Sequence, residues 1–204
     1  SSSIVLTGAN TYSGGTTISS GALLTLGGSG SIQGDVANSG TMQFAGTGTT
    51  FGGVISGSGA VQQVSGTTVL TGNSLHTGGT TISGGTLQLG VDNALTMAGA
   101  LAINGGTFDL NGYAQTIGEL SGTGGGVALN GGALTVNQTG NTTYAGIVSG
   151  TGSFIKDGSG TLVLTGANTN ANTVVNGGTL QGTTNSLQGN IANNATVVFD
   201  QATT

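Results

Sequence analysis

Few side chains in this chain could do acid–base chemistry. They are His76, Lys156 and the carboxylates Asp35, Asp92, Asp109, Glu119, Asp157 and Asp200. A histidine base needs a nucleophile and an orienting carboxylate beside it in space. Ser and Thr occur throughout, so their presence near His76 selects nothing, and His76 aligns with Tyr12 in a repeat, which predicts an outward or corner position. Glycoside hydrolysis needs two carboxylates facing across one bond. Only Asp92 and Asp109 have a spacing that could place them on adjacent layers, and Asp109 aligns with Gln88 and Thr135, which predicts a solvated strand position. Activation of an acidic sugar needs basic groups, and the chain has no Arg and a single Lys. Tyr12, Tyr113 and Tyr144 could dock a sugar or a partner if exposed, or shield the core from loops. We therefore expect no enzyme, and no catalytic, metal or cofactor site.

Other ligand chemistries fail for similar reasons. Calcium binding by nonapeptide repeats needs an Asp after the glycines, but Gly27-Gly28-Ser29-Gly30-Ser31-Ile32 puts Ile there. There is no Cys and one His, so no zinc set exists. No Gly-rich stretch leads into a Lys-bearing helix as a phosphate loop requires. The net charge of −5 with one Lys rules out a surface that neutralises a row of phosphates, so no nucleic-acid partner is expected. Charge-driven binding to anionic lipid is unsupported for the same reason, and no apolar run has the length of a membrane-spanning helix.

The elements that hold these residues come from one recurring pattern. It runs apolar, Asn or Ser, Gly-Gly, Thr or Ala, then apolar–polar–apolar. Copies are Ile82-Ser83-Gly84-Gly85-Thr86-Leu87-Gln88-Leu89, Ile103-Asn104-Gly105-Gly106-Thr107-Phe108-Asp109-Leu110, Leu129-Asn130-Gly131-Gly132-Ala133-Leu134-Thr135-Val136 and Val175-Asn176-Gly177-Gly178-Thr179-Leu180, with a looser one at Ile18 to Leu24. Alternation with period two makes each flank a strand with one buried face. The glycines make a corner, because Gly accepts positive φ without steric cost. Helix is excluded by the Thr, Val, Ile, Asn and Gly content and the missing 3.6-residue period. Collagen is excluded by the absence of Pro. Disorder is disfavoured because only 3% of the residues are charged and the apolar ones are regularly placed.

The corners recur at intervals near twenty residues: Gly21, Gly40 and Gly59 are 19 apart, and Gly85 and Gly106 are 21 apart. Longer echoes join the blocks. Ser31 to Phe44 returns as Ser186 to Phe199, Leu6 to Thr11 as Leu164 to Thr169, and Thr50 to Gly59 as Thr143 to Gly152. One such unit cannot bury its own apolar face, but stacked copies can. The fold expected is all-β: a right-handed parallel β-helix (β-solenoid) of about nine or ten coils, roughly 45 Å long at the ordinary inter-strand spacing. The alternative is an antiparallel β-sandwich, which leaves the coil-sized spacing unexplained. Residues 1–204 are read as one continuous segment with repeat blocks at about 1–45, 46–96, 97–138 and 139–204. Inward residues are Met42, Phe44, Leu87, Leu89, Phe108, Leu110, Leu134, Val136, Val197 and Phe199; Gln88, Asp109 and Thr135 should stack outside. No cap is evident at either end.

Lys156-Asp157-Gly158-Ser159-Gly160-Thr161-Leu162-Val163-Leu164-Thr165-Gly166-Ala167-Asn168 resembles the signature of the autotransporter-associated β-strand repeat, found in passenger domains of bacterial type V secretion autotransporters. So do Leu6 to Ser19 and Thr77 to Leu89. Two departures predict irregular coils: Asn170-Ala171-Asn172 where Tyr12-Ser13-Gly14 stood, and Gly182 where a core Leu or Val is expected. The 97–138 region keeps the corner without the full signature. The resemblance implies an exported, surface-exposed bacterial protein that folds outside the cell, with a translocator barrel beyond this segment. Ser1-Ser2-Ser3-Ile4 does not read as a signal peptide, so an export signal would lie outside the sequence or have been removed. The expected roles are adhesion, autoaggregation or biofilm formation through self-association or host-cell and matrix glycans and proteins. An end-to-end filament or spacer is the alternative, and a solenoid carrying a separate enzyme is a third.

Overall fold

The computed structural model describes residues 2–201. Ser1, part of the stretch tested as a leader, and residues 202–204, at the end of the single 1–204 segment, lie outside the described residues. All regular structure in the described part is strand, and every strand pairing is parallel. This excludes the antiparallel sandwich.

The strands wind around three faces of a prism. The first face begins with Ser3–Leu6, Leu23–Gly28, Thr41–Gly46, Ala60–Gln63, Thr80–Ile82, Ala100–Ile103 and Glu119–Ser121. A parallel bridge from Gly122 to Tyr144 carries it on into Thr142–Tyr144, Thr161–Leu164, Thr179–Gly182 and Thr196–Phe199. The second face runs from Thr49–Phe51 to Ile147–Ser149. The third starts with Thr16–Ile18 and ends with Asn190–Asn193.

Register makes the stacking concrete. One inward column on the first face reads Ile4, Leu24, Met42, Val61, Thr80, Leu101 and Leu120. It resumes as Thr142, Leu162, Leu180 and Val197. Each step is one coil, and the shortest is the 17 residues from Leu180 to Val197. The steps make ten turns, about 48 Å at the usual inter-strand spacing. Along most strands buried residues alternate with more exposed ones, as in Thr41–Gly46 and Thr86–Leu89. Met42, Phe44, Leu87, Leu89, Phe108, Leu110, Leu134 and Val136 are all buried. Gln88 and Asp109 stand on the outer surface in register, with Gln88 Nε2 donating to Asp109 Oδ2 at 2.8 Å.

Three expectations need correction. Thr135 does not stack on Asp109. It pairs with Thr116 and Ile155 on the third face, whereas Asp109 sits on the second, opposite Ala128. The cause is that the same corner motif turns different corners of the prism. Ser83-Gly84-Gly85 leads from the first face to the second, Asn130-Gly131-Gly132 from the second to the third, and Asn176-Gly177-Gly178 from the third to the first. Asn130 takes a left-handed conformation (φ 46°) at its corner, which Asn tolerates better than most residues. Secondly, Val197 is only half-buried and Phe199 is 51% exposed, because no coil lies over the last one among the described residues. Thirdly, His76 is buried, not outward, and is treated below.

The departure at Gly182 is resolved locally. The chain leaves the strand at Gly182 and turns back through Thr183–Leu187, where Leu187 N–H donates to the Thr183 carbonyl at 2.9 Å. A Cβ on Gly182 would meet Leu187 Cγ at 2.9 Å. Leu187, itself buried, thus fills the volume the missing side chain leaves.

Gly66 tests the corner argument. Its φ is +66°, and a Cβ there would fall on the Gly46 carbonyl oxygen one coil away. Gly66→Ala is expected to lower stability by more than about 2 kcal/mol, since strain and backbone overlap act together. Gly48→Ala, with open space around it, is expected to stay within about 0.5 kcal/mol. Urea denaturation of both variants measures the difference.

Candidate functional site

The interior is closed by apolar columns, but it also holds polar side chains with a shared task. A corner turns its carbonyls inward, where no strand partner reaches them, and a buried acceptor without a donor is costly. Gln63 Nε2 donates to the Ser65 and Gly66 carbonyls at 2.8 and 3.2 Å. Gln138 Nε2 donates to the Gly140 carbonyl at 3.1 Å and to Thr142 Oγ1 at 3.0 Å. Lys156, the only basic residue besides His76, is wholly buried. Its Nζ donates to the carbonyls of Asp157, Gly158 and Gly177 at 2.8, 3.1 and 3.0 Å. An ammonium has three donors, and all three are used. Burial pulls the Lys156 pKa below its ordinary value, with Asp157 opposing. The residue that was the chain's one candidate for activating an acidic substrate is a structural plug.

His76 is also enclosed. Its Nε2 lies 3.0 Å from Thr80 Oγ1, in the inward column of the first face. Its Nδ1 and the neighbouring Ser74 Oγ are buried without partners. Burial lowers its pKa, partly offset by the backbone of Gly79. The alignment with Tyr12 misled because Tyr12 lies at the thinly covered first coil, 41% exposed, with its hydroxyl 2.8 Å from Thr16 Oγ1. The other tyrosines differ again: Tyr113 is half-buried against the core and Tyr144 is fully buried. Burial raises the Tyr144 phenol well above its usual range.

The carboxylates hold the coils together from outside. Asp35 Oδ1 accepts from Val54 N–H and Asp92 Oδ1 from Ala114 N–H, each at 2.8 Å. Asp109 Oδ1 accepts from Asn111 N–H and Asn130 Nδ2, both at 2.8 Å. Asp92 lies in a turn, Asp109 lies in a strand of the second face, and no hydrogen bond joins them. Among the described residues no three His, Cys, Asp or Glu side chains gather as metal ligands do.

The surface is interrupted at one place. On the third face, residues 73–77 and 92–96 form no strand, and side chains replace part of the backbone ladder. Gln115 Oε1 accepts from Leu95 N–H while its Nε2 donates to the Leu95 carbonyl, both at 3.0 Å. Asn93 Oδ1 accepts from Thr116 N–H at 2.9 Å. The chain bulges outward here, leaving Leu75 64% and Met97 59% exposed. Met97 stands between two hollows. One, of about 370 Å³, is lined by Leu75, Leu95 and Thr96 among others. The other, of about 620 Å³, takes Thr77, Met97, Thr116, Glu119, Asn137 and Thr139 from four successive coils. The sequence reading missed this place. Its signal is that residues 90–99 break the strict alternation.

The family model described as passenger-associated-transport-repeat matches three times, at residues 2–25, 65–89 and 154–181. No curated protein and no solved structure shows a significant match to the chain. The first match begins with the strand Ser3–Leu6 on the first face, the second with Thr67–Leu70 on the second face, and the third with Ser153–Asp157 on the third.

Two plugs give measurable outcomes. The folded pKa of His76 lies below 6.5, so the unfolded chain takes up the proton first. Stability is therefore full above 6.5 and falls as the pH drops towards the folded value. His76→Gln is expected to flatten the stability profile between about pH 7 and pH 5, read from urea midpoints. Lys156→Met strands three carbonyls and should cost about 2 kcal/mol, whereas Lys156→Gln, the solution found at Gln63 and Gln138, should recover part of the loss. The chain is a parallel β-solenoid in which three stretches match the passenger-associated-transport-repeat model.

Proposed function

We propose that this chain is a structural and adhesive segment of a surface-exposed bacterial autotransporter passenger, working through its outer walls without catalysis or a cofactor. The observation that supports it most directly is the threefold repeat match along one parallel β-solenoid. Passenger repeats on a β-helix mark an exported, surface-associated protein. The physics of the fold suits that route. Each coil contacts only its neighbours, so folding can proceed coil by coil as the chain emerges. There is no Cys to cross-link the chain before transit.

The walls suit attachment. They present rows of Thr, Asn, Ser and Gln with few charges, so recognition would rest on hydrogen bonding and shape. The partners proposed are a second copy, or glycans and proteins of a host cell or matrix, with nucleic acid excluded by charge. A translocator barrel elsewhere in the protein completes this reading.

A second reading is an end-to-end filament or spacer, in which an open coil edge of one copy pairs with that of another.

The expected outcome is that bacteria displaying the protein without residues 2–201, with surface delivery verified, lose attachment or autoaggregation. Normal attachment and aggregation would refute the adhesive reading. Light scattering over a concentration series separates the filament reading. A particle mass that stays that of one chain removes it, and growth that Phe199→Lys suppresses supports it.

A further inference from the structure

The larger hollow beside Met97 has a shape and chemistry that the walls elsewhere lack. It runs along the rod axis across four coils, about 14 Å at the usual spacing. Thr77 comes from the first coil, Met97 from the second, Thr116 and Glu119 from the third, and Asn137 and Thr139 from the fourth. Three hydroxyls, an amide and a carboxylate thus border an apolar strip formed by Met97, Ala98 and Ala100.

Glu119 is held in place by the next coil. Its Oε1 accepts from Gly140 N–H at 2.9 Å and from Thr139 Oγ1 at 3.3 Å, one coil on. Its Oε2 has no hydrogen-bond partner among the described residues. One oxygen orients the group, the other has no hydrogen bond among the described residues, and the residue lines the groove.

We propose that this groove binds a neutral oligosaccharide laid along the rod axis. A sugar chain offers an apolar ring face to Met97 and Ala98, and hydroxyl donors and acceptors to the bordering Thr, Asn and Glu side chains. Charge selects against acidic sugars: the net charge is −5, Lys156 and His76 are buried, and Glu119 lies in the groove. An extended peptide fits poorly. Strand addition needs an unpaired backbone edge, and this groove runs across the strands, where Gly118 N–H already donates to the Gly99 carbonyl at 2.8 Å. The proposal rests on the attachment reading and gives it a site and a ligand class.

The test is titration of the isotopically labelled chain, followed by backbone amide NMR. The probes are cellotetraose, maltotetraose and N,N′,N″,N‴-tetraacetylchitotetraose, with trigalacturonate as the acidic counterpart. At least one neutral tetramer is expected to give saturable shifts confined to residues 76–78, 97–100, 116–119 and 137–140, and trigalacturonate none. Glu119→Gln keeps an acceptor for Gly140 but loses the charge, and is expected to weaken binding about tenfold, the difference between a charged and a neutral hydrogen bond. Met97→Ala, at an exposed position that does not carry the fold, is expected to weaken it as well. No saturable shift with any neutral tetramer, shifts elsewhere on the rod, equal binding of trigalacturonate, or unchanged affinity in both variants overturns the proposal. If the groove binds nothing while cells still attach, only the groove assignment fails. If an oligosaccharide binds but cells lacking the segment attach normally, only the attachment reading fails.

Discussion

Closure of one coil by the next is the constraint on which the rest depends. A coil of about twenty residues has three short strands and an interior one side chain deep, so it cannot shield its apolar residues by itself. Only in-register stacking buries the column from Leu24 through Leu120 and supplies the backbone hydrogen bonds of every strand. The same constraint explains the exposure of Ile4, Val5, Val198 and Phe199 in the first and last described coils.

Corners are the cost of this architecture, and glycine is only half of the solution. Glycines let the chain turn and let the next coil sit close, as Gly66 does against Gly46. Turning also leaves carbonyls without ladder partners. Gln63, Gln138 and Lys156 reach from the interior to supply donors. These residues occupy inward positions where alternation calls for an apolar side chain. Lys156 stands between Val136 and Val175 in its column. The interior is therefore a stack of apolar rungs with polar plugs near the turns, which is why a chain with almost no surface charge still buries its one ammonium.

The three corners of the prism are interchangeable to the sequence. The repeat that starts on the first face at Ser3–Leu6 starts on the second at Thr67–Leu70. Each corner needs only a turn and two flanking strands, so coil length can drift without breaking the ladder. At residues 73–77 and 92–96 the third face loses its strands, and the groove beside Met97 opens there.

What the sequence determined by itself is the periodic part. Alternation in Thr86–Leu89 and Thr107–Asp109, glycine corners at coil-sized intervals and the echo of Ser31 to Phe44 in Ser186 to Phe199 were sufficient for a stacked parallel β-solenoid and its core. They carry that information because burial of every second residue is a local rule. The tertiary structure alone decided which face each repeat occupies, and so that Thr135 neighbours Thr116 and not Asp109. It also decided that His76 and Lys156 lie inside, and that residues from four coils line one groove. Those outcomes depend on contacts between residues one coil apart, set by the summed length of each coil, and no local pattern encodes that sum.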